Sequence, residues 1–399
     1  MRFRSIALLT SVAALTACRG ADPLSSAPDL SPVLAAAVEQ PASVIPNQYI
    51  VVFKDDVRDV PGLARGLAAA NGGRVGFIYE TAIKGFSVTL GSARAAEAIG
   101  RNPNVAYVEQ DQVVQASATQ TGATWGLDRV DQAALPLSGT FGYTATGSGV
   151  FTYIIDTGIN STHGDFSGRT IVGYTAVLDG RGTEDCDGHG THVAGTVGGT
   201  THGVAKGVTL VPVRVLDCTG SGSWSGVIAG VNWVAGEKVA NPTRAMVANM
   251  SLGGGASTSV DNAVAGAISK GVTIAVAAGN SNQDACRSSP ARVAAAITVG
   301  ATTQTDARAS YSNFGSCLDL FAPGSSITSA WIGSTSATAT ISGTSMASPH
   351  VAGVAALFLA RKGATAPAIV RDSLVANATV GKVTSPGRNS PNRLLFTNY

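Results

Sequence analysis

The sequence predicts an α/β fold, a parallel sheet with helices on both faces, preceded by a small α+β unit. Three observations predict it. From about residue 118 onward, short apolar runs alternate with helix-length segments, the pattern of strands joined through helical crossovers into a parallel sheet. The runs Val150–Asp156, Thr209–Val215, Ala245–Ser251, Val272–Ala278 and Ala296–Gly300 are almost continuously apolar, as strands covered on both faces are. Residues 47–115 lack that spacing and read β-α-β-β-α-β instead, the split βαβ order.

Taken from the start, Arg2 and Arg4 precede an apolar stretch, Ile6–Ala17. A charged lead and a run too short to span a bilayer predict a signal peptide over residues 1–18, and hence export. Residues 19–46 are rich in Pro, Ala and Ser without a sustained period and predict a flexible linker. In the small unit, strands are expected at Tyr49–Phe53, Arg74–Glu80, Phe86–Leu90 and Val105–Gln110, with helices at Gly62–Ala70 and Ala93–Gly100. In the larger one, helices are expected at His189–Val197, Ser223–Ala235, Val260–Lys270 and Ser345–Lys362. An open parallel sheet binds its ligands at the carboxyl ends of its strands. Asp156, Ser251 and Asn280 all fall there.

Only 13% of the 399 residues are charged, the net charge is +2, and glycine accounts for 48 positions. No basic block calls for nucleic acid and no acidic tail appears. Such a composition suits a tightly turned extracellular domain, and a monomer is expected. Cys18 lies in the leader. The other four cysteines, Cys186, Cys218, Cys286 and Cys317, fit two bridges in an exported chain, with three connectivities open.

The chemistry centres on Gly343-Thr344-Ser345-Met346-Ala347-Ser348-Pro349-His350, followed by the apolar run Val351–Ala360. Ser345 therefore opens a buried helix, where free N–H groups and the positive dipole end favour developing negative charge. A serine hydroxyl needs a base to become a nucleophile. His189, at the entry to another expected helix, is the candidate base, and Asp156 is the carboxylate to orient it. Asn280 is placed to donate its amide to an oxyanion. Ala347 replaces the second glycine of G-x-S-x-G, which argues against an α/β-hydrolase esterase. Cys186, His189 and His192 could suggest zinc, but no H-E-x-x-H is present. His163, His202 and His350 are expected to be structural or surface residues.

Asp156-Thr157-Gly158, the block His189–Thr196 (HGTHVAGT) and Gly343–His350 (GTSMASPH) resemble the three signature blocks of the subtilisin-like serine proteases, the subtilases. Trp125–Arg129, Asn249–Gly255 and Ala277–Asn280 are similar to the proteinase K branch, aqualysin-type enzymes in particular. This resemblance covers about residues 118–399. Residues 47–117 resemble the ferredoxin-like inhibitor propeptide of the same family.

The resemblance implies a secreted serine endopeptidase made as a self-processing zymogen, acting on protein and peptide substrates. Ser345 would be nucleophile, His189 general base, Asp156 its orienting partner, and Asn280 with the Ser345 N–H the oxyanion donors. Gly220-Ser221-Gly222 and Ser251-Leu252-Gly253-Gly254 would hold an extended peptide through backbone pairing. No acidic residue in these blocks asks for a basic side chain, so broad specificity favouring apolar or aromatic residues is expected. Residues 47–117 would be chaperone and inhibitor, with Val113–Ser117 in the groove and the mature enzyme, residues 118–399, starting near Ala118. The implied bridges are Cys186–Cys218 and Cys286–Cys317. Structural calcium is implied at Asp319 with the carbonyls of Ala294 and Ala296, and at Asp128, Asp131 and Gln132, where Gly139 stands in place of a polar ligand. Leu15-Thr16-Ala17-Cys18 also resembles a lipobox. Lipid on Cys18 would anchor the precursor to a membrane until the propeptide is cut.

Overall fold

The computed structural model describes residues 44–112 and 118–399. The expected signal peptide, Cys18, residues 19–43 of the linker and Val113–Ser117 lie outside the described residues.

The N-terminal unit runs β1 (Val44–Phe53), α1 (Val60–Ala70), β2 (Arg74–Tyr79), β3 (Gly85–Thr89), α2 (Ala93–Gly100) and β4 (Val105–Gln112). Its sheet is antiparallel in the order β2-β3-β1-β4. Val51, Phe53, Ala64, Phe86 and Ile99 form its core. β1 starts at Val44, inside the range expected for the linker, because Val44 pairs with Gln112. The Pro-Ala-Ser composition hid a long-range pairing that decides strand membership.

The larger unit contains α3 (Trp125–Val130), β5 (Val150–Asp156), α4 (His189–Gly198), β6 (Thr209–Arg214), α5 (Trp224–Ala240), β7 (Ala245–Met250), α6 (Thr258–Ser269), β8 (Thr273–Ala277), β9 (Ile297–Thr302), β10 (Leu320–Pro323), α7 (Thr344–Lys362) and α8 (Pro367–Asn377). Strands β10-β9-β8-β7-β5-β6 are parallel neighbours in that order. Short edge strands at Tyr174–Thr175 and Arg393–Leu394 extend the two sides, and Thr379–Val380 closes the latter antiparallel. All the expected strands and helices form. α3, β10 and α8 were not anticipated: α3 has six residues and β10 four, too few for a periodic signal, and α8 is a mixed-polarity helix held by Val370 and Leu374.

Alternation along the strands builds a core on each face of the sheet. Ile154 of β5 joins Val193, Val351 and Leu357 on the α4/α7 face. Tyr153 and Ile155 join Val231 and Val264 on the α5/α6 face. α5 and α6 start on serine caps, Ser223 and Ser257, whose side chains accept from Gly226 and Val260 N–H, satisfying donors the helices cannot. α7 is buried from Met346 through Leu359, because the sheet covers one side and α4, α8 and α3 the others. Its apolar surface on every side is that of a core helix. Among the described residues, no single helix is long and apolar enough to cross a membrane.

Candidate active site

Because β7 lies between β5 and β8, the segments leaving these three strands emerge side by side. β5 ends on Asp156, and Ser251 and Asn280 follow β7 and β8. Ser345, at the first turn of α7, is tied to the middle one. Its hydroxyl donates to the Ser251 carbonyl at 3.1 Å, and the Ser251 hydroxyl donates back to the Ser345 carbonyl at 2.6 Å. The second bond has a cause in the sequence. Pro349, four residues on inside α7, has no N–H to give the Ser345 carbonyl, and the Ser251 hydroxyl fills the gap. Asn249 locks that hydroxyl from below, donating to it at 2.8 Å while accepting from Ser348 Oγ at 2.6 Å.

His189 opens α4. Its Nδ1–H donates to Asp156 Oδ1 at 2.8 Å, and the Thr157 N–H donates to the same oxygen at 2.8 Å. The Asp156 side chain is fully buried and that of His189 a quarter exposed. Burial disfavours the His189 imidazolium, but the charge and hydrogen bond of Asp156, with Asp187 and Asp185 behind it, outweigh that and raise its pKa. The start of α4 is held by Asp185, a buried carboxylate that accepts from the N–H groups of Asp187, Gly188 and Thr191 and the hydroxyls of Thr157 and Thr191. Gly188 has φ +110 and its missing Cβ is the space the Trp331 indole fills, within 2.5 Å of an ideal Cβ. Among the described residues no hydrogen bond joins His189 Nε2 to Ser345, whose hydroxyl rests on Ser251. Catalytic hydrogen bonds of this kind commonly close only when substrate is present.

Asn280 is oriented by its own carbonyl oxygen, which accepts from the Thr344 N–H and hydroxyl, both at 2.8 Å. That leaves its NH₂ group toward the start of α7, where a Cβ on Gly343 would lie 3.4 Å from Nδ2. Asn313 braces the Asn280 loop, donating to the Ala278 carbonyl and accepting from the Ser281 and Gln283 N–H groups. Gly279, at φ +101, leaves the room that Asn313 occupies.

Two hollows flank these groups and share the segment Ser251–Gly255. One, of about 460 Å³, is floored by Ala277, Ala278 and Gly279 and reaches Asn280 and Ser345. The other, of about 520 Å³, lies between His189 and Gly220-Ser221-Gly222 and reaches Trp224 and Asp187. Leu252, Gly253 and Gly254 line both. Every substrate-binding candidate named from the sequence, with His189, Asn280 and Ser345, lines one or both of these hollows, and Asp156 lies buried against His189.

Cys186 is bonded to Cys218, and Cys286 to Cys317. The first bridge ties the loop before α4 to the segment that leads into Gly220. Its sulfurs are not thiolates, so neither Cys186 with the histidines nor the Asp179, Cys186 and Cys218 group is a metal centre. His192 is pushed down to about 4 by burial, its Nε2–H bonding the Ile327 carbonyl. His350 is likewise pushed down to about 4, bonding the Met346 carbonyl. Neutral and buried, both are structural. His163 and His202 bond the Ala337 carbonyl and Asp165.

The calcium candidates stand apart from the groove. Burial pushes the Asp319 carboxyl up to about 6, with only the Thr298 N–H bonded to Oδ2 at 2.8 Å. The Ala294 carbonyl accepts from Arg371 at 2.6 Å, so a cation there would share that oxygen. Asp131 is pushed up to about 6, first by burial and also by Asp128, and its Oδ1 is buried without a partner. Asp128 is already occupied by Gln132, Ser138 and Gly139 donors.

Reading residue by residue missed Asp185, Asp187, Asn249, Asn313 and Thr344. Asn249 and Thr344 lie inside quoted blocks but show no role there, and Asp185 and Asp187 read as loop aspartates. Asp185, Asn249, Asn313 and Thr344 act by reaching across to other segments, which only the assembled sheet reveals.

Residues 147–395 match the subtilase family, and residues 48–117 match the family described as peptidase inhibitor I9. An extracellular serine proteinase of Thermus sp. (strain Rt41A) is 52% identical over 412 residues, covering 98% of each chain. The subtilisin-like serine protease AsES of Sarocladium strictum is 45% identical over 89% of this chain and 90% of its own. The crystal structure of a cold-adapted subtilisin-like serine proteinase superposes with a TM-score of 0.66 and 52% identity, covering 70% of this chain and all of the other. The chain belongs to the subtilase family and is a serine endopeptidase with an inhibitor-type unit ahead of its catalytic domain.

Proposed function

We propose that this subtilase is an exported endopeptidase of broad specificity that cleaves its own inhibitor unit near Ala118 and then hydrolyses protein substrates through Asp156, His189 and Ser345. The observation that carries the reading is the bond from His189 Nδ1 to the buried Asp156 carboxylate, on the strand next to the one whose end holds the Ser345 hydroxyl. With substrate seated, the Ser345 hydroxyl leaves the Ser251 carbonyl, attacks the peptide carbonyl and gives its proton to His189 Nε2. The oxyanion is received by the Ser345 N–H and Asn280 Nδ2. His189 then protonates the leaving amine, and water releases the acyl group from Ser345 by the same route in reverse. The test is a fluorophosphonate probe on the processed protein. Covalent labelling at Ser345, with parallel loss of casein hydrolysis, is expected; an unlabelled protein refutes the reading.

The peptide would lie extended between Gly220–Gly222 and Ser251–Gly253, bonded through its backbone. The small, neutral floor of the Ser345 hollow supports acceptance of apolar and aromatic side chains before the cut. Asn280→Ala should lower kcat by about 10²–10³, the loss subtilisin shows on removal of its own oxyanion amide, with KM nearly unchanged because the bond forms only as the oxyanion does. Steady-state kinetics on a short peptide amide checks this. A KM effect alone would show that Asn280 binds substrate instead.

Calcium fits best at Asp319 with the Ala294 and Ala296 carbonyls, a hard-oxygen set around a buried, under-bonded carboxylate. At Asp128, Asp131 and Gln132, the orphaned Asp131 Oδ1 supports a second site, while the donors already on Asp128 oppose it. Bound calcium would supply positive charge and cross-link distant segments. Thermal unfolding of an inhibited enzyme should shift upward with calcium and downward with chelator, since a ligand at 100 times its Kd stabilises by about 2.7 kcal/mol. Superimposable melts would remove calcium from the account.

A further inference from the structure

The charge inside the substrate hollow beside His189 is not neutral, and it comes from a residue outside the peptide-holding segments. Asp187 lines this hollow together with Gly220–Gly222 and Ser251–Gly255, and no other acidic side chain does. Its Oδ1 accepts from the His189 N–H at 3.1 Å. Its Oδ2 makes no hydrogen bond among the described residues and lies toward Gly220, where a Cβ would come within 3.5 Å of it. No Lys or Arg among the described residues forms a salt bridge with Asp187. The contrast with Asp185 is instructive. Asp185 has both oxygens bonded to its own chain, whereas Asp187 keeps one oxygen facing the groove, with the net charge left for something else to meet.

We propose that Asp187 selects a Lys or Arg side chain on the acyl half of the substrate, beside the residue whose carbonyl is attacked. This rests on the protease reading above. Ser251–Gly255 runs past Ser345 and lines both hollows. A peptide strand seated on that segment, with its scissile side chain in the Ser345 hollow, presents a neighbouring side chain to the His189 hollow. An ammonium or guanidinium arriving there meets an unpaired carboxylate; a glutamate meets repulsion. Apolar preference at the scissile residue and cationic preference next to it are compatible, because they are read by different hollows.

The experiment is a panel of fluorogenic peptides that share one scissile residue and vary each of the next three acyl-side positions among Lys, Arg, Gln, norleucine and Glu. The quantity read is the ratio of kcat/KM for the cationic peptide to that for the Gln peptide within one enzyme, so changes in overall activity cancel. The processed wild-type enzyme should favour Lys or Arg over Gln about fivefold at one position in low salt, the upper range for a partly exposed ion pair, with Glu disfavoured. The ratio should fall toward one in 1 M salt. Asp187→Asn, which keeps an acceptor for the His189 N–H, should bring it to one at low salt, and Asp187→Lys should turn it toward Glu. An equal ratio in wild type and Asp187→Asn overturns the proposal while leaving the protease intact. Failure to cleave any peptide overturns the protease reading, and this proposal with it.

Discussion

Ser345→Ala leaves the chain as an unprocessed precursor, with protein hydrolysis reduced by about a million-fold, the scale of the same loss in subtilisin. Two steps share the one group. Release of the inhibitor unit and hydrolysis of an added protein both need an alkoxide at the start of α7, and alanine has nothing to offer His189. The change is small in structural terms. The Ser345 hydroxyl holds only the Ser251 carbonyl, at 3.1 Å. The bonds that set the position of α7, from Ser251 Oγ to the residue 345 carbonyl and from the Thr344 N–H and hydroxyl to Asn280 Oδ1, do not involve the lost atom. The variant should therefore fold and melt cooperatively, and the precursor band on a gel should persist for as long as the wild-type band disappears. Adding a trace of processed wild-type enzyme should cut the variant near Ala118, because its cleavage site is intact. Normal processing of Ser345→Ala on its own would remove Ser345 from the chemistry, whatever the fold.

Much of this was legible because it depends on local pattern. Apolar strands covered on both faces leave uninterrupted runs, and the carboxylate, imidazole and hydroxyl sit at element ends that those runs define. Elements fixed by pairing were less visible. β10 is too short to carry a period, and Val44–Pro46 read as linker because Gln112, the partner of Val44, lies far along the chain. The site shows the same division. Asp156, His189 and Ser345 stand in recognisable blocks, but what fixes them does not. Pro349 gives no hint in sequence that its missing N–H will be replaced by a hydroxyl from β7's end, and Asp185 reads as one more loop aspartate. The peptide-holding segments contain no acidic residue, as their sequence shows, but Asp187 reaches the same hollow from outside them. The bridge from Cys186 to Cys218 ties the Asp187 loop to the segment leading into Gly220, a neighbourhood only the folded chain has.

Asp156→Asn should cost about 10⁴ in kcat, the scale of the same exchange in another Ser-His-Asp protease, and it should also move the pH profile. Asp156 Oδ1 accepts the His189 Nδ1–H, which fixes the tautomer that leaves Nε2 free to take a proton. An asparagine can turn its NH₂ toward Nδ1. The ring then carries its proton on Nε2, and the base is lost without any loss of packing. The pH effect follows from signs. His189 works as a base when neutral, so kcat/KM rises as pH climbs through its pKa. Burial pulls that pKa down, and the charge and bond from Asp156 more than reverse it, so the wild-type acid limb should lie above the ordinary value of 6.5. Removing the Asp156 charge leaves the downward pull of burial, opposed only by Asp187 and Asp185. The residual activity of Asp156→Asn should therefore have its acid limb displaced to lower pH. A kcat/KM profile on a substrate with no titrating group measures both effects at once. A large fall in rate with an unmoved limb would mean that the limb reports some group other than His189. A displaced limb with little loss of rate would mean that Asp156 tunes the imidazole electrostatically without deciding which nitrogen bears the proton.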